Sequence, residues 1–220
     1  MLSVNLIQRF TQQREFDRLL QSLADNGMVM PLPLRVRLSD GPAAPIALGL
    51  RRLVELTYGP THMSRDLADD LLALQNPDGS FSGAEAGVPD PLATAAALAA
   101  FTRVMREHPV EQARLDGPRH RALHALARMQ ADNGAVGFDC PADRTDAQRR
   151  LVAAFILFLL TSDSEFRSAV RFADLMSDFD DHADQLDEPT RQLWAMARLD
   201  HNTLPAEPVS AGQPAPCVAA

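Results

Sequence analysis

Apolar positions along the chain recur mostly at helical spacing. Phe16, Leu19, Leu20 and Leu23 stand at i, i+3, i+4 and i+7, which predicts an amphipathic helix over 4–25, stopped by Asp25-Asn26-Gly27. The period then changes. Leu32, Leu34, Val36 and Leu38 alternate with Pro33, Arg35, Arg37 and Ser39, which predicts a short extended segment near 32–38 with edge-type prolines. Past Asp40-Gly41-Pro42 the helical period returns, with helices expected over 44–57, 65–75, 91–107, 118–131, 146–162, 165–177 and 189–200. Ser64 and Ser164 read as N-caps, and Asp90 followed by Pro91 is a strong helix start. The run LVAAFILFLL, residues 151–160, is apolar on all sides, so its helix is expected to be the most buried. It is too short to cross a bilayer, which takes about 20 residues. Trp194, near Met196, is expected in the core. The Pro- and Ala-rich end has no periodicity and reads as a disordered tail. The organisation is therefore an N-terminal helix and extended cap over 1–43, a helical domain over 44–201 and a tail over 202–220.

The helical domain repeats itself. LALQNPDGSF (72–81) and ARMQADNGAVGF (127–138) align at an offset of 55: Leu71 with Leu126, Leu74 with Met129, Gln75 with Gln130, Asp78 with Asn133 and Gly79 with Gly134. A period near 50 residues signals stacked helical hairpins. In each copy the glutamine ends a helix, where orphan carbonyls need donors. The Asp-Gly or Asn-Gly pair turns the chain, with glycine free to take positive φ. An apolar residue then pins the loop to the next hairpin: Phe81 in the first copy, Val136 or Phe138 in the second, where no aromatic stands at the same spacing.

The stretch LLALQNPDGSF…DPLATAAALAAF resembles the prenyltransferase and squalene oxidase repeat of terpenoid cyclases and protein prenyltransferases, whose core is written Q-x-x-x-G-x-W, here with Phe81 in the aromatic place. The likeness is carried by residues 67–101 and, less closely, 120–160. It implies an all-α fold in which helical-hairpin repeats form an α/α toroid. A closed toroid of that family has six hairpins and this chain has room for about four, so a partial, open toroid is expected.

Charge and composition narrow the function. The net charge of −8 argues against a nucleic-acid partner, which needs a concentrated basic surface. Every basic residue is Arg. Cys140 and Cys217 lack metal-type spacing and read as thiols of a cytoplasmic protein. No basic start followed by an apolar run marks a signal peptide.

The densest chemistry lies in SDFDDHADQLDE, residues 177–188, read as an acidic loop between helices. Asp178, Asp180 and Asp181 match the D-x-D-D pattern whose central acid protonates an alkene in the class II cyclases that the chain resembles. Such an acid must be kept neutral by burial and a neighbouring carboxyl. Asp180, Asp181 and Asp184 match D-D-x-x-D, a pattern able to hold Mg²⁺. Overlap of two motifs in one acid-rich stretch weakens both, and a solvated acidic connection accounts for the composition. No cofactor is predicted, and Mg²⁺ is the one ion the pattern would take. His120 and His124 share a helix face but lack the Glu of a metalloprotease motif, and GAEAG (83–87) reads as a plain loop.

Three functional classes follow. The first is a non-catalytic interaction or scaffold module of prenyltransferase-repeat type, whose partner is another protein or itself. The second is a binder of an apolar or isoprenoid small molecule in a groove lined by Thr94, Leu98, Phe101, Phe155 and Phe158. The third, which the resemblance implies, is a terpene cyclase-like enzyme on a prenyl substrate. A chain with 5% aromatic residues is poorly equipped for carbocation chemistry, so the balance falls on the first class.

Overall fold

The structure is a computed structural model that describes residues 32–56, 60–131, 137–140, 143 and 145–203. The predicted helix over 4–25 and residues 204–220 of the expected tail lie outside these. The chain is all-α. Its helices are α1 Leu32–Ser39, α2 Ala43–Leu56, α3 His62–Ala73, α4 Pro91–Glu107, α5 Gln112–Arg128, α6 Asp146–Leu160, α7 Ser164–Ala169, α8 Phe172–Asp181 and α9 Glu188–Thr203. Single 3₁₀ turns, Pro109–Glu111 and Ala183–Gln185, precede α5 and α9. Asn202 and Thr203, assigned to the tail by sequence, close α9.

Alternate helices pack side by side. α2 lies against α4, α4 against α6, and α6 against α9, while α3 packs on α2 and α5 on α4. The middle of the first row is the core. In α4 every residue from Pro91 to Phe101 is buried, and in α6 every residue from Leu151 to Leu157. The expectation that α6 would be the most buried needs correction, because α4 buries a longer run. Its alanines let neighbours approach on every side, so small size achieves there what hydrophobicity does in α6.

The predicted extended segment at 32–38 is the helix α1. Leu34 and Leu38 are buried at 2% and 0% exposure, whereas Val36 is 48% exposed. Positions i and i+4 satisfy both a period of two and a helical turn, so the alternation did not discriminate. Pro33 falls in the first turn, where a missing N–H breaks no helical bond.

The caps explain the other shifts in boundary. Thr61, not Ser64, caps α3: Thr61 Oγ1 accepts from the Ser64 amide (3.0 Å), and Ser64 Oγ accepts from the Thr61 amide (2.9 Å). Asp163, not Ser164, caps α7, with Oδ1 accepting from the amides of Glu165 and Phe166. The helix expected over 165–177 is broken at Val170–Arg171 into α7 and α8. α5 begins at Gln112, six residues before the expected start at 118, so Pro118 stands inside it. Asp90 caps α4 as expected, taking the amides of Leu92 (2.7 Å) and Ala93 (3.0 Å) on Oδ1. Trp194 is buried and stacks on Phe179 at 4.9 Å, joining α9 to α8.

One buried ion pair ties α4, α5 and α7 together. Arg119 and Asp163 have side chains 6% and 7% exposed. Arg119 donates to Asp163 Oδ2 (2.8 Å), Glu165 Oε2 (2.7 Å) and Thr102 Oγ1 (2.9 Å), and Thr102 donates to Asp163 (3.1 Å). Burial pushes the Asp163 carboxyl up, but the hydrogen bond and charge of Arg119, helped by the Phe166 amide and Thr102, outweigh it and hold it below the usual aspartate range. A carboxyl lowered in the folded state stabilises above its unfolded value, about 3.9, and loses that contribution as pH falls through the folded value. The stability difference between wild type and Asp163→Asn, measured by urea unfolding, is therefore expected to be full at neutral pH and to shrink as pH drops below about 4. A difference that does not vary with pH would contradict the assignment.

Candidate functional site

The repeat loops are built alike. In the first, Gln75 and Phe81 form an isolated antiparallel bridge, and the Asn76 amide donates to the Ser80 carbonyl (2.9 Å). In the second, Gln130 bridges Phe138 and the Ala131 amide donates to the Gly137 carbonyl (3.2 Å). The aromatic thought lost from the second copy is thus Phe138, two residues later, and both phenylalanines are fully buried. Gly79 has φ of +90°, and a Cβ there would stand 2.5 Å from the Arg121 carbonyl oxygen, so both conformation and packing demand glycine. Gly137, in the second loop, has φ of +86°; Asn133 and Gly134 lie outside the described residues. Asp78 Oδ1 accepts from the amide (2.9 Å) and hydroxyl (2.6 Å) of Ser80 and so closes the first turn.

The glutamines do not serve their own helix ends, as expected, but reach the next hairpin. Gln75 Nε2 donates to the Pro118 carbonyl in α5 (2.9 Å) as well as to Gly79 (3.1 Å), while its Oε1 accepts from Arg121 (2.9 Å). Gln130 satisfies both backbone groups of Arg171: Oε1 accepts from its amide (2.7 Å) and Nε2 donates to its carbonyl (3.2 Å). That pairing holds the break between α7 and α8.

A cleft of about 430 Å³ opens beside the first loop, with Val36, Ala84, Val88 and Pro89 in its walls and Asp40 and Glu85 among its lining acids. Arg37 and Cys140 also line it. Arg37 donates from one terminal nitrogen to Asp143, and from the other to Asp90 Oδ2 (2.9 Å) and Cys140 Sγ (3.0 Å). Burial disfavours the guanidinium, but Asp90 and Asp143 overcompensate, and its pKa is raised. Asp90 therefore has two jobs, capping α4 with one oxygen and holding α1 through Arg37 with the other. The approach is close: a Cβ on Gly83 would lie 2.9 Å from Asp90 Oδ2, and one on Gly41 2.3 Å from the Gly83 carbonyl oxygen. Both terminal nitrogens of Arg37 are engaged by the protein itself, so the cluster acts as a clamp between α1, the start of α4, Cys140 and Asp143. Sequence reasoning missed it because its members are separated by 53 and 106 positions.

Three of the four acidic candidates are not in a loop, while Asp184 stands in the 3₁₀ turn that connects α8 to α9. Asp178, Asp180 and Asp181 belong to the last turns of α8. Asp178 faces Arg150 of α6 (3.3 Å) and its own neighbour His182 (3.2 Å), and Asp180 faces Arg198 of α9 (3.3 Å). Asp181 and Asp184 are exposed. Phe179, between them in sequence, points into the core at 0% exposure. His120 Nδ1 donates to the Asp116 carbonyl (3.0 Å) and its Nε2 lies 3.3 Å from Glu165, while His124 is exposed. Among the described residues no three His, Cys, Asp or Glu side chains converge as metal ligands, and no helix is long and apolar enough to cross a membrane.

The residues expected to line an apolar groove instead fill the core. Thr94, Leu98 and Phe101 are 0% exposed, Phe155 is 1% exposed, and Phe158 is partly buried against them. No protein-family model matches the chain, and no curated protein or solved structure is significantly similar to it.

Replacing Arg37 with Met keeps the stem but leaves the mostly buried carboxylates of Asp90 and Asp143 without their shared cation. The variant is expected to lose about 3 kcal/mol or more of unfolding free energy in urea. A loss under about 1 kcal/mol would show that the clamp is not a structural joint.

Proposed function

We propose that this chain is a non-catalytic scaffold: a short, open α/α-hairpin arc of the prenyltransferase and squalene oxidase repeat type that binds another protein or a second copy of itself. The observation that carries this reading is the packing of the inner row. Side chains that would have to surround a substrate chamber, Thr94, Leu98, Phe101 and Phe155, are spent on one another. Cyclase-type acid catalysis would need a sheltered carboxyl, whereas Asp180 has its side chain 49% exposed beside Arg198. The packing of α2, α4, α6 and α9 in a row, with α3 and α5 behind, supports the arc. An arc has ends, and ends of repeat stacks need a cap or a partner. Leu199 on α9, the last helix of the row, is 64% exposed and marks such an end.

A second reading rests on the cleft beside Arg37. Its volume of about 430 Å³ falls in the range of small-molecule pockets, roughly 300–1,000 Å³, and its walls are largely apolar.

Native mass spectrometry of the purified full chain separates the two. The scaffold reading expects a dimer or larger assembly that Leu199→Glu disperses and that Asp180→Asn with Asp181→Asn leaves intact. A monomer retaining a bound compound of a few hundred daltons would overturn it in favour of the cleft.

A further inference from the structure

Arginines gather where the C-terminal parts of α2, α4 and α6 meet. Arg51, Arg103 and Arg106 line a small recess of about 40 Å³ together with Thr102, Ser162 and Asp163. A recess of about 10–15 Å³ already admits a water, so this one has room for a larger polar group. The charges do not balance. With the adjacent Arg52, four guanidiniums face two carboxylates, Glu55 and Glu107, a surplus of two positive charges in a chain whose net charge is −8. The carboxylates are held loosely: Arg51 stands 3.5 Å from Glu55, and Arg103 and Arg106 stand 3.3 and 3.4 Å from Glu107. The Nε of Arg103 is buried and makes no hydrogen bond, its approach to Glu107 Oε1 at 3.3 Å being an ion contact alone. Asp163, the acid at the edge, offers no relief, since Arg119, Thr102 and the first amides of α7 already occupy both its oxygens. Burial lowers the Arg51 pKa, and repulsion from Arg103 and Arg106 lowers it further, against Glu55. Like charges crowded around a polar recess, with their carboxylates at 3.3–3.5 Å, are what an anion would relieve.

We propose that this recess is an oxyanion site for a phosphate group, gripped by Arg51, Arg103 and Arg106 with the Ser162 hydroxyl at its edge. Planar guanidinium forks match phosphate oxygens in pairs, and the walls of Leu159 and Leu160 keep water away from one side. The group is either part of a soluble phosphate compound or a lipid headgroup, two sources with the same local chemistry. The competing account is that the arginines only offset the helix C-termini, each worth about half a negative charge. It predicts no saturable response to any anion.

The test is a thermal-shift titration of the full chain with inorganic phosphate, against chloride at equal ionic strength. Phosphate is expected to raise Tm saturably and chloride to do nothing comparable. The half-saturating phosphate concentration should rise at least about tenfold in Arg103→Gln with Arg106→Gln, equivalent to one lost strong contact. It should also rise in Arg106→Gln alone, whose side chain is 59% exposed and whose loss leaves the fold intact, but not in Arg191→Gln on the surface of α9. Identical phosphate and chloride curves, or an unchanged midpoint in both recess variants, would overturn the proposal. Cosedimentation with phosphatidylcholine vesicles, with and without phosphatidic acid, then separates the sources. Capture on the acidic vesicles that is lost in the recess variants identifies a headgroup, and phosphate saturation without capture identifies a soluble compound.

Discussion

Two glutamine amides hold the hairpins of this protein in line. Gln75 spans from the end of α3 to the carbonyl of Pro118 in α5. Gln130 spans from the end of α5 to both backbone groups of Arg171, between α7 and α8. A primary amide suits this task because it carries a donor and an acceptor on one rigid plane, and so can answer a peptide group with its own complement. Apolar packing alone would let one hairpin slide or rotate on the next. A directional bond at each joint sets the register, and each loop then closes by the same backbone contact around a fully buried phenylalanine, Phe81 or Phe138.

Ionic joints follow the same economy. Asp90 and Asp163 each cap a helix with one carboxylate oxygen and take an arginine from another segment with the other. Each links a local decision, where a helix starts, to a long-range one, which segment lies against it. Buried arginine–carboxylate pairs of this kind add little stability over a well-packed apolar substitute, but removing one partner is costly, so they favour one arrangement over its competitors. This use of the acidic groups also bears on function. Asp178 and Asp180 engage Arg150 and Arg198 across neighbouring helices, a role in joining helices that needs no bound ion.

Much of the helix pattern was legible in the sequence because it rests on local signals. The Asp90-Pro91 start, the repeat glutamines, and the buried face Thr94, Leu98 and Phe101 are all readable from neighbours in the chain. The misreadings have physical causes. Leu34 and Leu38 fit a strand and a helix equally, and only the packing of α1 on α2 decides between them. The acidic run 177–188 looked like a loop because charge is usually solvated, yet Phe179 and Leu186 are buried and anchor it to the core. The choice between Val136 and Phe138 stayed open because the second loop places its aromatic two residues later than the first. The Arg37 clamp and the arginine recess were invisible for a different reason: their members meet only after the chain has folded. Function was the least legible layer, since a repeat that builds a scaffold and one that builds an enzyme share the same turn and capping residues.

The central claim is that a glutamine amide joins each hairpin to the next, and Gln130 tests it most directly. Gln130→Leu keeps the volume while removing both hydrogen bonds to Arg171, so urea unfolding measures the joint itself. The variant is expected to lose about 1–3 kcal/mol, the worth of the two hydrogen bonds it removes between the hairpins. An unfolding midpoint equal to wild type, at unchanged denaturant dependence, would show that packing alone aligns the hairpins and would contradict this account.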